Sequence, residues 1–347
     1  MLLLVFLLAA CGDDGDGAGG DNGTPVAQEE EPTLCPLTGV EAGGGVDINR
    51  PALAIKVDNA PPARPQAGVD AADIVYEEIS EGGLTRFLAV FHCNEAGDVG
   101  PVRSARTVDP DILQEFGNAL FGYSGANSQV LDKIDSSSFI GDLKHGSSGG
   151  AYTRAADRRA PYNLMTSTEQ LRSEEAANDI DGPPKTGLTF NAEVLNPPAP
   201  AASPTAGAAA SPAAPAGNSA SFSYSNSNVV RYTYDQGSKT YLRFHGDTAH
   251  NLAGGKQVSA VNVVIQKVQI VPGTVRDASG SPTQDTTVVG TGEATVLRGG
   301  TAVTGTWSRP TLNDSTTFTD AAGATIEFAP GNTFIHLVPR ERPVTVQ

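Results

Sequence analysis

The arginines and carboxylates between Asp58 and Arg106 are the residues of this chain best equipped for chemistry. Asp58 and Asn59 lead into Pro61-Pro62-Ala63-Arg64-Pro65, where the prolines restrict the backbone and would present Arg64 rigidly. Glu77, Glu78 and Glu81 precede Gly82-Gly83 and Thr85-Arg86, and Arg103 and Arg106 flank Ser104 behind Gly100-Pro101. Guanidiniums grouped in this way can grip phosphate or carboxylate bidentately, with a carboxylate acting as base or accepting a second hydrogen bond. The same groups can equally pair with one another and do no more than hold long loops together. Alternation along a strand separates the adjacent glutamates: Glu77 shares a face with Ile79, and Glu78 with Tyr76. The candidate ligand-binding set is Asp58, Arg64, Glu78, Glu81, Arg86, Arg103, Arg106 and His145.

Other chemistries find weaker support. Asp58, Glu78, Glu81 and His145 could supply oxygen ligands and one imidazole to magnesium, manganese or calcium sooner than to zinc. The chain has neither an H-E-x-x-H pair nor an EF-hand loop, so no cofactor is expected, with a divalent cation as the minor alternative. Ser104, His145 and Asp142 make a Ser, His and Asp inventory, but no G-x-S-x-G elbow strains the serine into position. His145 lies in Lys144-His145-Gly146-Ser147-Ser148-Gly149-Gly150, a lid over the cleft or an ordinary surface loop. Arg158-Arg159 reads as a solvated turn, and His92 and His245 as structural or exposed residues.

The elements that must position these groups fall into two blocks. Apolar strands are expected at Leu53 to Asp58, Ile74 to Glu78 and Arg86 to Cys93. Asp109-Pro110 reads as an N-cap and first turn ahead of the stripe Ile112, Leu113 and Phe116. A helix is expected over Gln129 to Ile134, and another after Ser167, whose spacing to Gln170 forms a capping box. These elements make residues 35–196 a mixed α/β domain. Residues 197–220, PPAPAASPTAGAAASPAAPAGNSA, cannot build a core and are expected to be a disordered Pro/Ala insertion, as a loop or a linker.

Residues 221–347 read as an antiparallel β-rich domain. Strands are expected at Val229 to Tyr234, Tyr241 to His245 and Val261 to Ile270, with a hairpin about Gly299-Gly300. A second hairpin is expected from Thr316 to Thr319 into Thr325 to Phe328, then a closing strand at Phe334 to Val338. No helix of three turns is expected in this block. Tyr232, Tyr234, Tyr241, Phe244 and Trp307 belong to its core or form a peptide- or glycan-binding face. The fold class is therefore a two-domain α+β protein.

The N-terminus supplies an address. MLLLVFLLAA ends at Cys11 in the lipobox-like Leu8-Ala9-Ala10-Cys11, so residues 1–10 read as a lipoprotein signal peptide, although no Lys or Arg precedes the apolar run. Acyl chains on Cys11 would make the lipid membrane a partner, and residues 11–34 would be an acidic, Gly-rich tether. No later apolar run reaches the roughly 18 to 20 residues needed to span a bilayer. A net charge of −16 argues against nucleic acid as a partner. Cys35 and Cys93 remain and are expected to form one disulfide, with two free thiols as the alternative. A monomer is the default.

Ordered along the chain are AIKVDNAPPARPQAG (54–68), ADIVYEEISEGGLTRFLAVF (72–91), GPVRSART (100–107), APYNLMTS (160–167), GTGEATVLRGG (290–300) and TGTWSRP (304–310). Through these strings the chain resembles the YerB-like bacterial lipoproteins. The resemblance implies a mixed α/β domain and a β-rich domain behind a lipoprotein signal, and assigns no functional residue. The expected function is that of a membrane-tethered extracytoplasmic binding or accessory protein, on the outer face of the bacterial cytoplasmic membrane. Its ligand would be an anionic group of the cell envelope, on a wall polymer or a peptide. The alternative is an envelope hydrolase with a carboxylate general base.

Overall fold

Strands buried at every position need cover on both faces, and the chain from Ala52 to Phe91 contains two of them. The protein is described here by a computed structural model covering residues 32–175, 178–196, 216–276 and 280–347. All seven residues of β1 (Ala52–Asp58) are buried, five of six in β2 (Ile74–Ile79), and all seven in β3 (Thr85–Phe91). Their near-continuous apolar sequences fit such two-sided burial. β4 (Ala119–Tyr123) and β5 (Ile140–Lys144) extend this sheet in parallel beyond β1. They are linked through α1 (Asp109–Leu113) and α2 (Ser128–Asp135). β6 (Tyr152–Arg154) and β7 (Leu164–Thr166) form a separate ribbon, followed by α3 (Thr168–Arg172) and β8 (Thr189–Phe190).

The second block begins with β9 (Ser219–Ser225), β10 (Asn228–Asp235), β11 (Thr240–His245), β12 (Thr248–Ala249) and β13 (Ser259–Ala260). β14 (Asn262–Arg276), β15 (Pro282–Thr287), β16 (Gly290–Arg298) and β17 (Thr301–Arg309) follow. The chain closes with β18 (Thr317–Asp320), β19 (Glu327–Phe328), β20 (Thr333–Pro339) and β21 (Val344–Val346). Among the described residues one sheet runs β18-β17-β16-β14-β20-β2-β3-β1-β4-β5, with β15 on β14. A second runs β12-β11-β10-β9-β21, with β13 on β11.

The second sheet covers one face of the first. Ala220, Phe222 and Tyr224 alternate inward from β9, as expected of a strand with one wet face. They share a core with Leu53, Ile55, Val57, Val75, Phe87 and Phe91. The opposite face, with Ala54, Tyr76 and Leu88, packs against Ile112, Leu113, Phe116, Val130, Ile134 and Trp307.

Several expectations change here. The two blocks are not separate sheets: β20, expected as a closing strand, lies between β14 and β2 and is parallel to both. The C-terminal block is thus mostly, not wholly, antiparallel, and the two-domain description holds only in part. The second expected hairpin forms only as a short one: the Ile326 N–H donates to the Phe318 carbonyl and a Thr319–Thr325 bridge joins its arms about the turn at Asp320, while β19 pairs with β8. Asp109 is not an N-cap. Val108 holds that position, while the Asp109 carboxylate accepts from the Arg106 N–H at 2.6 Å and from the buried Lys56 ammonium at 2.7 Å. Ser167 does cap α3 through the Gln170 N–H.

Tyr232, Tyr241 and Trp307 are buried, Tyr234 packs at a tilt against Tyr241 and Phe244 lies beneath the Arg231 guanidinium, so these five residues form no exposed aromatic face. Cys35 and Cys93 form a disulfide with Cα atoms 6.0 Å apart. Ala216 bridges Thr301 and β9 begins at Ser219. Residues 197–215, the expected signal peptide, Cys11 and the tether as far as residue 31 lie outside the described residues. No helix among the described residues is long and apolar enough to cross a membrane.

Candidate functional site

Register fixes the centre of the site. Arg86 on β3 stands opposite Asp58 on β1 and Glu78 on β2, so all three project from one face. Where this face reaches the strand ends, a cleft of about 340 Å³ opens, lined by Asp58, Glu81, Arg86, Arg103, Arg106 and Tyr162, among others. Arg103 Nε donates to Asp58 Oδ2 at 2.9 Å, and the other Asp58 oxygen accepts from the Ala60 N–H. Arg106 donates to Glu81 Oε2 from both Nε and Nη2, at 3.0 and 2.5 Å.

Arg86 differs from its neighbours. It is 8% exposed and its Nη1 donates to the Ser104 carbonyl at 2.5 Å. Its Nε is buried without a hydrogen-bond partner, and among the described residues no carboxylate forms an ion pair with it, although the Asp58 and Glu81 charges act on it from farther off. Burial, and then the neighbouring Arg106, lower its pKa to about 9, which leaves it charged at neutral pH. A buried cation with an idle donor is costly in isolation.

Glu78 does not open into the cleft. Its carboxylate is fully buried against Lys56 Nζ, which also holds Asp109. Burial, and then the Asp109 charge, raise the Glu78 pKa to about 8 against the pull of Lys56. A raised folded-state pKa gives stability that is complete below the ordinary carboxylate range and lost as pH rises through about 8. Wild type is therefore expected to lose stability relative to Glu78→Gln between about pH 5 and 8, with a slope below about 1.4 kcal/mol per pH unit. Urea unfolding across that range checks this, and parallel stability profiles would show that Glu78 stays ionised.

The remaining candidates lie elsewhere. Arg64 lines a neighbouring cleft with Arg158 and Arg159, and burial lowers its pKa to about 10. His145 follows β5 with its ring edge-on to Tyr152 and is not among the residues that line this cleft. The Ser104, His145 and Asp142 inventory does not assemble, because Ser104 Oγ meets Ser124 Oγ and Asp142 accepts from the Lys144 N–H. Nor do Asp58, Glu78, Glu81 and His145 converge: no group of three or more His, Cys, Asp or Glu among the described residues could hold a metal ion.

Two features escape the sequence reading. Arg158, expected as solvated, donates to the carbonyls of Ala63 and Pro65. Glu77 faces the second sheet, where it accepts from Arg243 Nη2 at 3.0 and 2.8 Å, Thr85 Oγ1 and Asn59 Nδ2. His336 Nδ1 lies 3.0 Å from Glu77 Oε2, and burial lowers its pKa. That favours the neutral ring, in which Nδ1–H can donate to Glu77 while Nε2, 3.1 Å from the Tyr232 hydroxyl, accepts from it. From Arg243 the network continues to His250, Gln66 and the backbone carbonyl of Asp58, so it reaches the wall of the cleft.

Fold and cleft define a sheet-fused, two-block protein with an arginine-lined site at its strand ends. The chain belongs to the family described as "Protein of unknown function (DUF3048)", matching its N-terminal domain over residues 37–181 and its C-terminal domain over residues 220–335. This agrees with the YerB-like resemblance of the sequence strings. The "Putative lipoprotein YerB" of Bacillus subtilis (strain 168) is 29% identical over 348 residues, covering 98% of this chain and 93% of the relative. The crystal structure of YerB protein from Bacillus subtilis superposes with a TM-score of 0.74 at 24% identity, over 90% of this chain and 99% of that one, and so shares its fold. Four of the strings, 54–68, 72–91, 100–107 and 160–167, meet at the two clefts.

Proposed function

We propose that this chain is a lipid-tethered extracytoplasmic binding protein, held to the membrane through Cys11, and that its cleft takes an anionic group of the cell envelope. The observation that carries this reading is Arg86, a buried arginine without a carboxylate, flanked by Arg103 and Arg106 at the cleft. A phosphate or carboxylate entering there would meet a desolvated, pre-positioned guanidinium, where a charge-assisted hydrogen bond is strongest. A hydrolase would need a carboxylate poised toward the cleft. Asp58 and Glu81 are occupied by arginines, and Glu78, whose proton affinity is raised, is fully buried and does not line the cleft.

Purified protein is titrated with cell-wall fragments bearing their anionic polymer and with acid-stripped fragments. Arg86→Met is expected to weaken binding to the former by about tenfold or more. The same change should leave thermal stability equal or raised, because an apolar side chain replaces a buried unpaired charge. Unchanged affinity in both Arg86→Met and Arg106→Ala would sink the site. Loss of stability in Arg86→Met would assign Arg86 to an internal network instead.

A further inference from the structure

Tyr162 lines two clefts at once. On one side are Arg86, Arg103 and Arg106. On the other, a cleft of about 600 Å³ is lined by Arg64, Arg158, Arg159 and Asp157. The Arg103 guanidinium lies 5.7 Å from the Tyr162 ring centroid, so the aromatic ring is the shared wall between them. Six arginines therefore face three carboxylates, and two of those, Asp58 and Glu81, are already held by Arg103 and Arg106. In a chain with 39 acidic and 23 basic side chains, this is a local reversal of sign that focuses anions.

The second cleft is built, not merely charged. Arg158 fastens its loop to the proline-rich segment through the carbonyls of Ala63 and Pro65. Arg64 is held by the Asn59 carbonyl at 2.8 Å. Arg159 is exposed, and no side-chain hydrogen bond or ion pair engages it among the described residues. A single carboxylate or phosphate could satisfy Arg86 and would leave this second cleft empty.

We infer that the two clefts form one groove for a linear polyanion with phosphodiesters recurring along its length, one group seated at Arg86 and the next beyond Tyr162 at Arg64, Arg158 and Arg159. This rests on the anion-binding reading of the first cleft and extends it from one charged group to a chain of them. A phosphodiester carries its charge at every unit and offers two free oxygens to a guanidinium fork. Multiple contacts along one chain act at high effective concentration, so modest single contacts add to a firm hold.

The test uses glycerol phosphate, glycerol-phosphate oligomers of increasing length, and polyglutamate of matching charge, titrated calorimetrically into the purified protein. Affinity is expected to rise with oligomer length and then level off once both clefts are filled. Arg159→Ala should weaken the long oligomer about threefold to tenfold, and Arg159→Glu more, each by a larger factor than glycerol phosphate, which the Arg86 cleft can hold alone. Both variants alter an exposed side chain, so folding is not at stake. Their salt dependence should also flatten as a phosphate contact is lost. Long-oligomer affinity unmoved in both variants, with Arg86→Met still weakening every probe, would overturn the groove and leave the single-anion reading standing. Glycerol phosphate binding unmoved by Arg86→Met would instead overturn that reading. Polyglutamate binding as tightly as the long oligomer would overturn the phosphodiester class.

Discussion

Replacing Glu77 by alanine is expected to destabilise the protein by about 3–5 kcal/mol, the usual result of stripping one partner from a buried ion pair. Glu77 and Arg243 are both fully buried, and the change would leave a guanidinium inside the core with its carboxylate gone. His336, Thr85 and Asn59 would also lose an acceptor. Burial alone would raise the pKa of Glu77, but the Arg243 charge and the His336 and Thr85 hydrogen bonds hold it well below the carboxylate range. A depressed pKa gives stability that is complete above the ordinary range and is lost progressively as pH falls from about 4.5 through the lower folded value, so the gap between wild type and variant should narrow in strong acid. Urea unfolding at neutral and acid pH measures both effects. The double change Glu77→Leu with Arg243→Met should recover much of the loss, since no charge is then left unpaired. A loss under 1 kcal/mol at neutral pH would mean that water reaches the pair.

Exchanging both Cys35 and Cys93 for serine is expected to cost about 2–4 kcal/mol, the typical worth of a disulfide. The bond closes a separation of 58 residues and fastens a segment whose Leu37 is buried in the core to the end of β3. Denaturant unfolding of wild type and the double variant gives the difference. Thiol labelling of unfolded, unreduced protein should find neither cysteine free. An unchanged unfolding midpoint would show that Leu37 and its neighbours hold this segment unaided.

Local signals carry far in this sequence, and long-range ones do not. β1, β2 and β3, the Ser167 cap and the turn at Gly299-Gly300 follow from apolar runs and turn residues within a few positions of each other. The cleft is legible in part for the same reason: Asp58, Glu81, Arg86, Arg103 and Arg106 all sit at strand ends or in adjoining loops. Their pairing is not legible, and pairing is what leaves Arg86 alone. Glu77 is separated from Arg243 by 166 positions, and nothing near it announces a partner. Asp109 carries an N-cap signature, but the buried ammonium of Lys56 claims its carboxylate. Thr333 to Pro339 does hold an unread clue. Phe334, Ile335, Leu337 and Val338 run together without polar alternation, the mark of a strand covered on both faces, and all seven residues are indeed buried.

The position of β20 also governs when the molecule can be finished. Residues 74–79 take a neighbour, 333–339, that is made long after them. As the polypeptide emerges N-terminus first, β2 has β3 on one side and an open row of amides on the other, while Glu77 waits for both Arg243 and His336. Pairing over such distance is slow because the intervening loop must close first. Until β20 arrives the edge of β2 stays open, so the central sheet cannot be completed while only the first block has been made.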